Sequence, residues 1–439
     1  MIMMRARDQD RSLSPDPLWP QGQDRWRGRE RTVGVLDVGT TKIVCLIARL
    51  EPAGPRVIGA GHHRADGVRA GQVSNMDDLE HAVRSCVAVA ETMAQTRLEN
   101  VFVNLSGGNP HSTLVELELD MDGRLVRPSD LAKLQEFGRE HVSAPGRDIV
   151  HGQNLSYAID GGSGVLDPVG SYAQTLGATM HLVTFRSGPL RNLSTVIGRC
   201  HLGVEGRLLT PFASALACLS DEERAAGATL IDLGGGVTSI AVFADSRPVY
   251  AGAVPLGAQH ITTDLMQGLN TPFAVAERLK VMYGTCLCSP SDARDRLRIP
   301  QMGGESEEVC VDVPRSMLAQ IIHPRIEEIL EMVRDKLEKP GISSLGTRLV
   351  ALTGGGSQLQ GVRDLAEAIL ERPVHLRHPI RFRGQAETAF GPAFATANGL
   401  LRYAARPTLY THSDFPETLE ETAPPGMFGK LSLWLRENF

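Results

Sequence analysis

Apolar residues along this chain gather in short β-branched runs, and one pattern of run, turn and run is written twice. Residues 33–47 read VGVLDVGTTKIVCLI and residues 229–243 read TLIDLGGGVTSIAVF. Each is a strand ending in Asp, a glycine-rich turn of small residues and a returning strand. A third run, LVALTGGG at 349–356, leads into the helix-like SQLQGVRDLAEAIL. Elsewhere the spacing predicts a strand at 56–61, a helix at 77–97 with Asn75 as its cap, and a helix at 131–141. Strands TLVELEL and HLVTF bracket a polar, Gly/Pro-punctuated middle, which reads as a small α+β unit inserted at 106–185. Two small-residue helices, at 211–219 and 391–400, are expected to pack backbone to backbone, as a hinge between lobes requires.

Chemistry concentrates in the turns. Glycine lets the backbone approach an anion closely, and exposed N–H groups and hydroxyls can hold phosphate oxygens. Asp37 and Asp232 stand about 195 positions apart and would face each other if the two halves pack with their turns opposed. Two acids and two amide cradles around a triphosphate suit Mg²⁺, which takes oxygen ligands and keeps several waters. A glycine triplet at a strand-to-helix turn suits a flat ring lying on bare backbone. The bland alternative is a Rossmann-type protein whose glycine turns bind nothing, and three ordered signals weigh against it.

Composition changes this picture little. A length of 439 residues fits two to four domains, by the prior of about 100–200 residues each. With 42% hydrophobic residues and a net charge of −6, no nucleic-acid partner is expected. The cysteines at 45, 86, 200, 218, 286, 288 and 310 are odd in number and sit mostly in apolar contexts, which reads as reduced thiols. No apolar run approaches a membrane span and no signal-peptide pattern is read. Residues 1–31 carry little periodicity and read as a disordered tail, with a contact of Arg25, Trp26 and Arg27 with anionic lipid as the other reading.

With these residues in place, the chain resembles the actin-like ATPase superfamily. There the order is phosphate loop, phosphate loop, adenosine loop. The resemblance implies ATP and Mg²⁺ as ligands. Asp37 and Asp232 would hold the metal through water. Gly39, Thr40, Thr41, Lys42, Gly234, Gly235 and Gly236 would bind phosphates, and Gly354, Gly355, Gly356 and Ser357 the adenosine. Glu277 and Lys280, three apart on one helix face, would reach the ribose and adenine edge, a solvated surface pair being the other reading. Sugar kinases of this fold carry an acid where this chain has Leu208-Leu209-Thr210-Pro211-Phe212-Ala213. That stretch has none, which points to a nucleotide used as a polymerisation switch, with slow hydrolysis at most and no catalytic residue identified.

The C-terminus narrows the family. After a Pro/Thr/Glu-rich linker at 405–426 the chain ends MFGKLSLWLRENF. On a helical wheel Met427, Phe428, Leu431, Trp434, Leu435 and Phe439 fall within an arc of roughly 140°, and Lys430, Arg436 and Glu437 lie away from it. Such a helix suits an anionic membrane surface, and packing on the body or on a partner is the alternative. Together these features resemble the FtsA family of bacterial cell-division proteins. The resemblance implies an α/β, two-lobed actin-like fold with subdomain 1A at 32–105 and 186–220, inserted subdomain 1C at 106–185, 2A at 221–265 and 326–404, 2B at 266–325, and a membrane-targeting helix at 427–439. It implies a peripheral protein of the cytoplasmic side of the inner membrane at the division septum. Its partners would be the FtsZ C-terminal peptide, other copies of itself in filaments, and later divisome membrane proteins. Arg325 is the candidate for pairing with the acidic peptide, against the plain reading of a solvated arginine. Two alternatives stay open: an actin-like adaptor of a pilus or secretion assembly, of the PilM type, and a small-molecule kinase.

Overall fold

The computed structural model describes residues 31–302, 310–339, 342 and 349–406. Strands β1 (Arg31–Val38), β2 (Lys42–Glu51) and β3 (Gly54–Arg64) form an antiparallel meander, whose first turn is the hairpin expected at 33–47. After the two-residue strands β4 (Val68–Arg69) and β5 (Gln72–Val73) comes α1 (Met76–Ala94). The Asn75 side chain caps it by accepting from the Asp77 and Asp78 amides, and Gln95 closes it in a left-handed conformation. Strand β6 (Asn100–Leu105) then joins β1 in parallel.

The chain next leaves this sheet for an inserted unit. It comprises β7 (His111–Leu125), α2 (Pro128–Val142), β8 (Arg147–Ile159), β9 (Gly162–Val165) and β10 (Tyr172–Arg186), with sheet order β7-β10-β8-β9. Leu134 of α2 packs with Met121, Leu176, Met180 and Leu182 as its core. The chain returns through α3 (Ser187–Arg199) to β11 (Gly203–Leu209), completing the order β11-β6-β1-β2-β3, and then forms α4 (Thr210–Cys218) and α5 (Asp221–Ala226).

The second lobe repeats the theme with β12 (Ala228–Leu233), β13 (Thr238–Ala244), β14 (Arg247–Val254), α6 (Ala258–Gly268), α7 (Phe273–Tyr283), β15 (Arg296–Pro300), β16 (Cys310–Pro314), α8 (Arg315–Leu337), β17 (Leu349–Thr353), α9 (Val362–Leu370), β18 (Val374–Leu376) and α10 (Ala395–Ala405). Its sheet runs β14-β13-β12-β17-β18. Strand residues alternate between faces, and in the first lobe both faces are covered. Leu36, Ile43, Cys45 and Ile47 pack under α1 and α3, while Val33, Val35, Val44 and Leu46 pack under α4 and α10. That double burial is why the two hairpins read as continuous apolar runs.

The two small-residue helices meet as their composition requires. A Cβ on Gly399 of α10 would lie 1.7 Å from the Ala213 carbonyl oxygen of α4, so no other residue fits there without moving a helix. Two helices differ from expectation. The segment after the glycine triplet is a 3₁₀ turn at Gly355–Gln358, and α9 starts only after Gly361, whose φ of +77° breaks the run. Likewise Pro392–Phe394 is 3₁₀, with α10 beginning at Ala395. The divisions drawn at 265/266 and 325/326 fall inside α6 and α8, the latter continuous through Pro324. The N-terminal tail to residue 30, most of the linker, and the segment from Met427 to Phe439 lie outside the described residues. Among the described residues no helix is long and apolar enough to cross a membrane.

Candidate functional site

The two hairpin turns are closed in the same way. The Gly39 amide donates to the Lys42 carbonyl at 3.1 Å, and the Gly234 amide to the Val237 carbonyl at 3.1 Å. Registers match as well, with Asp37 opposite Val44 and Asp232 opposite Ser239. The turns face each other: a Cβ on Gly235 would lie 2.3 Å from Thr41 Cγ2, and one on Gly236 2.6 Å from Thr40 Cγ2. Thr40 is held from behind, its hydroxyl accepting from the Gly71 amide at 3.0 Å. Between the lobes lies a cavity of about 480 Å³, within the size range of small-molecule sites.

Its lining brings together Asp37, Gly39, Thr40, Thr41, Lys42, Asp232, Gly234, Gly235, Gly236, Glu277, Lys280, Gly354, Gly355 and Gly356. Asp37 and Asp232 stand near the ends of β1 and β12, in the sheets of opposite lobes, and both are buried. Burial pushes both carboxyls up from the ordinary carboxylate range, partly offset at each by the Lys42 ammonium. Burial in turn pulls Lys42 down, although both carboxylates favour its charge. Its Nζ lies 3.3 Å from the centroid of the Phe394 ring, a cation–π contact. The two acids are not equivalent. Asp232 Oδ2 accepts from Ser214 Oγ of α4 at 2.5 Å and from Thr396 Oγ1 of α10 at 3.3 Å. One carboxylate therefore touches both small-residue helices.

Lys280 and Ser357 are placed differently from a simple ligand contact. The Lys280 ammonium donates to Ala258 O, Thr262 Oγ1 and Glu277 Oε2 at 3.1, 2.8 and 2.7 Å, which uses all three of its hydrogens. It orients Glu277 and joins α7 to α6. Ser357 Oγ donates to Gly354 O at 2.8 Å, closing the 3₁₀ turn, and does not line the cavity. In that turn Gly354, at φ +88°, is irreplaceable: a Cβ there would meet Asp232 Oδ1 at 2.3 Å. Arg325 lies away from the cavity. It forks onto Asp264 at 2.7 and 3.0 Å and also pairs with Glu328. Met427, Phe428, Lys430, Leu431, Trp434, Leu435, Arg436 and Phe439 fall outside the described residues.

Sequence reasoning missed several lining groups. Asn104 ends β6 and Thr210 follows β11, beside Asp37 at the end of β1. Asn104 accepts from the Val38 amide at 2.7 Å and donates to Thr210 Oγ1 at 3.1 Å, tying three strand ends together. The signal was present: an Asn inside the apolar run VFVNL must find partners when buried. Ser214, Thr396 and Phe394 gave no such signal, because their partners come from distant elements.

Comparison with known proteins agrees with this geometry. A family model described as "Cell division protein FtsA" matches residues 229–399, and one described as "SHS2 domain inserted in FTSA" matches 107–184. The cell division protein FtsA of Rhizobium meliloti is 37% identical over 422 residues, covering 94% of this chain and 96% of its own. That of Agrobacterium fabrum is 38% identical over 432 residues, with the same coverage, and that of Escherichia coli K12 is 27% identical over 420, covering 94% and 99%. Among solved structures, the PilM–PilN type IV pilus biogenesis complex matches with TM-score 0.62 at 16% identity, covering 86% of this chain and all of that one. MreB 5 of Spiroplasma citri bound to AMPPNP matches with TM-score 0.52 at 11% identity, covering 86% and 96%. These structural likenesses establish an actin-like fold, and the SHS2 match accounts for the inserted sheet. Matched hairpins, an insertion in the first lobe and end-to-end relatives converge: the chain belongs to the FtsA family of cell-division proteins.

Proposed function

We propose that this chain binds ATP with Mg²⁺ in the interlobe cleft, polymerises on the inner face of the cytoplasmic membrane, ties FtsZ filaments to it through the FtsZ C-terminal peptide, and gathers later divisome proteins. The observation that carries the reading is the pair of matched turns facing across one cavity, with the glycine triplet of 354–356 on the same wall. The residues fit the ligand. Two buried carboxyls raised by desolvation are relieved by a cation, and Gly235, Gly236 and Gly354 let the backbone approach Thr41, Thr40 and Asp232 more closely than a Cβ would permit. Asp37 and Asp232 would hold magnesium through its waters. Gly39, Thr40, Thr41, Lys42 and the Gly234–Gly236 amides would hold phosphates, while Gly354, Gly355, Gly356 and Glu277 would take the adenosine. Bound ATP supplies a γ-phosphate whose presence or loss favours one lobe angle over another. The AMPPNP found in the MreB 5 neighbour supports a nucleotide here. Stretch 208–213 carries no acid, so the nucleotide acts as a switch with slow turnover at most.

Residues 427–439 are the proposed membrane contact, weak singly and strong when many copies are joined. Arg325 is the proposed contact for the acidic FtsZ peptide, which must then compete with Asp264 for the guanidinium. Liposome co-sedimentation of the full chain and of a chain ending at Pro425, each with and without ATP and FtsZ, tests the reading. Only the full chain should sediment, carrying FtsZ with it. Sedimentation of the truncated chain, or FtsZ left in the supernatant, overturns it.

A further inference from the structure

The inserted unit is covalently part of the first lobe, entering after β6 and leaving into α3. Polar contacts hold its exit to α3, where Ser187 bonds Asp148 Oδ1 at 2.8 Å and the Gly146 carbonyl at 2.9 Å, but others reach across to the second lobe. β7 is the edge strand of its sheet and β14 is the edge strand of the second lobe's sheet. An edge strand exposes backbone groups that need partners. Here the Ala251 amide of β14 donates to Ser112 Oγ of β7 at 3.2 Å. Ser112 Oγ lies 2.7 Å from His181 Nε2 of β10. At the start of β14, Arg247 Nη1 donates to the Asn154 carbonyl of β8 at 3.0 Å and also to that of Leu155.

Apolar packing follows the same path. Val183 and Phe185 of β10 share one buried cluster with Leu209 and Phe212 of the first lobe and with Leu230, Ala241, Phe243 and Ala251 of the second. Phe212, at the start of hinge helix α4, stands edge-on to His151 at 4.9 Å and to Phe243 at 6.1 Å. Leu155 packs on the second lobe's own core. On the covalent side the entry turns through Gly107 and Gly108, at φ of +67° and +65°, and the exit is held by Ser187.

We propose that the inserted domain is clamped to the second lobe through Ser112–Ala251 and Arg247–β8, so that it travels with that lobe and converts lobe rotation into a swing against the first lobe. The clamp stands on the contacts just described, and only its drive by ATP rests on the function proposed above. Amide exchange in the nucleotide-free protein tests the clamp directly. Ser112→Ala should speed exchange at the Ala251 amide by roughly tenfold or more, and unchanged exchange overturns it. The device is tested with fluorophores on p-acetylphenylalanine, which spares the native cysteines, placed in pairs at exposed Leu166 and Val89 or at Leu166 and Leu376. Adding an ATP analogue should change the insert-to-first-lobe distance (166/89) and leave the insert-to-second-lobe distance (166/376) fixed. The double variant Ser112→Ala, Arg247→Ala should reverse that pattern, and Ser112→Ala alone should weaken it if the double variant does not fold. A wild-type insert that stays with the first lobe overturns the proposal, as does identical behaviour of wild type and variant while the analogue binds. Failure of the analogue to bind sinks the nucleotide reading instead, leaving the Ala251 exchange to decide the clamp.

Discussion

Substituting Gly399 by alanine adds one methyl group at the most crowded point of the hinge. Its carbon would sit 1.7 Å from the Ala213 carbonyl oxygen and 2.3 Å from the carbonyl carbon. Even close C–H···O contacts are about 3.3 Å or longer, so α4 and α10 must part by more than about 1 Å. Neither neighbour is the free end of a side chain, and both helices are buried along their length. Overpacking of this kind costs about 3 kcal/mol, the upper part of its usual range. Alanine recovers about 1 kcal/mol of helix propensity relative to glycine, leaving a net loss of about 2 kcal/mol. With an unfolding entropy of about 2.1 cal/mol/K per residue over a cooperative unit of about 200 residues, the melting temperature falls by about 5 °C. Gly198 of α3 is the matched control, since a Cβ there meets nothing within 4 Å. Gly198→Ala should raise the melting temperature by about 2 °C. Scanning calorimetry reads both. If Gly399→Ala melts at or above the wild type, the backbone contact between the two helices is not limiting and the hinge argument fails.

Asp37 is pushed up to about 7 by burial, from 3.8, so the unfolded chain gives up this proton before the native one does. Its contribution to native stability is therefore full below about pH 4 and is lost as pH rises toward 7. Asp37→Asn should flatten the fall in melting temperature between pH 5 and 7 in nucleotide-free protein, and a slope as steep as wild type refutes the assignment. The same variant should lose the magnesium-dependent part of ATP affinity, read by titration of a fluorescent analogue with and without EDTA. Asp264→Asn releases the guanidinium of Arg325 and should tighten FtsZ-peptide binding several-fold, whereas Arg325→Ala should weaken it. Equal affinities in both variants would make the Arg325–Asp264 pair purely structural. Ser357→Ala should loosen the turn and lower melting temperature by an amount matching about 1 kcal/mol, with ATP affinity kept within twofold. A tenfold affinity loss would put Ser357 on the ligand.

The fold and half of the cleft were legible in one dimension because the physics there is local. A β-branched run, an Asp and a glycine turn fix a hairpin without help from elsewhere, and three such turns in order imply one cleft. The Asn75 cap was readable for the same reason. Helix starts after glycine triplets were not: Gly361 takes a positive φ beside Leu287, a neighbour from a distant part of the chain. Spacing put Lys280 and Glu277 on one helix face, but could not show that Lys280 also bonds Ala258 and Thr262 on a neighbouring helix. The hydroxyls on Asp232 come from Ser214 and Thr396, 182 positions apart, and no period connects them.

The shared closure of the two turns hides a difference in how each can be damaged. The first presents Thr40, Thr41 and Lys42, whose donors sit on side chains, while the second presents Gly234, Gly235 and Gly236, whose only donors are amides. Truncating side chains removes the first turn's hydroxyls and ammonium, though not its amides, and does nothing to the second. A scan limited to side-chain truncation will therefore assign nearly all of the grip to one lobe, whatever the true division. The second lobe's share becomes visible only through bulk: a methyl at Gly235 or Gly236 drives into Thr41 or Thr40 and disables both turns at once.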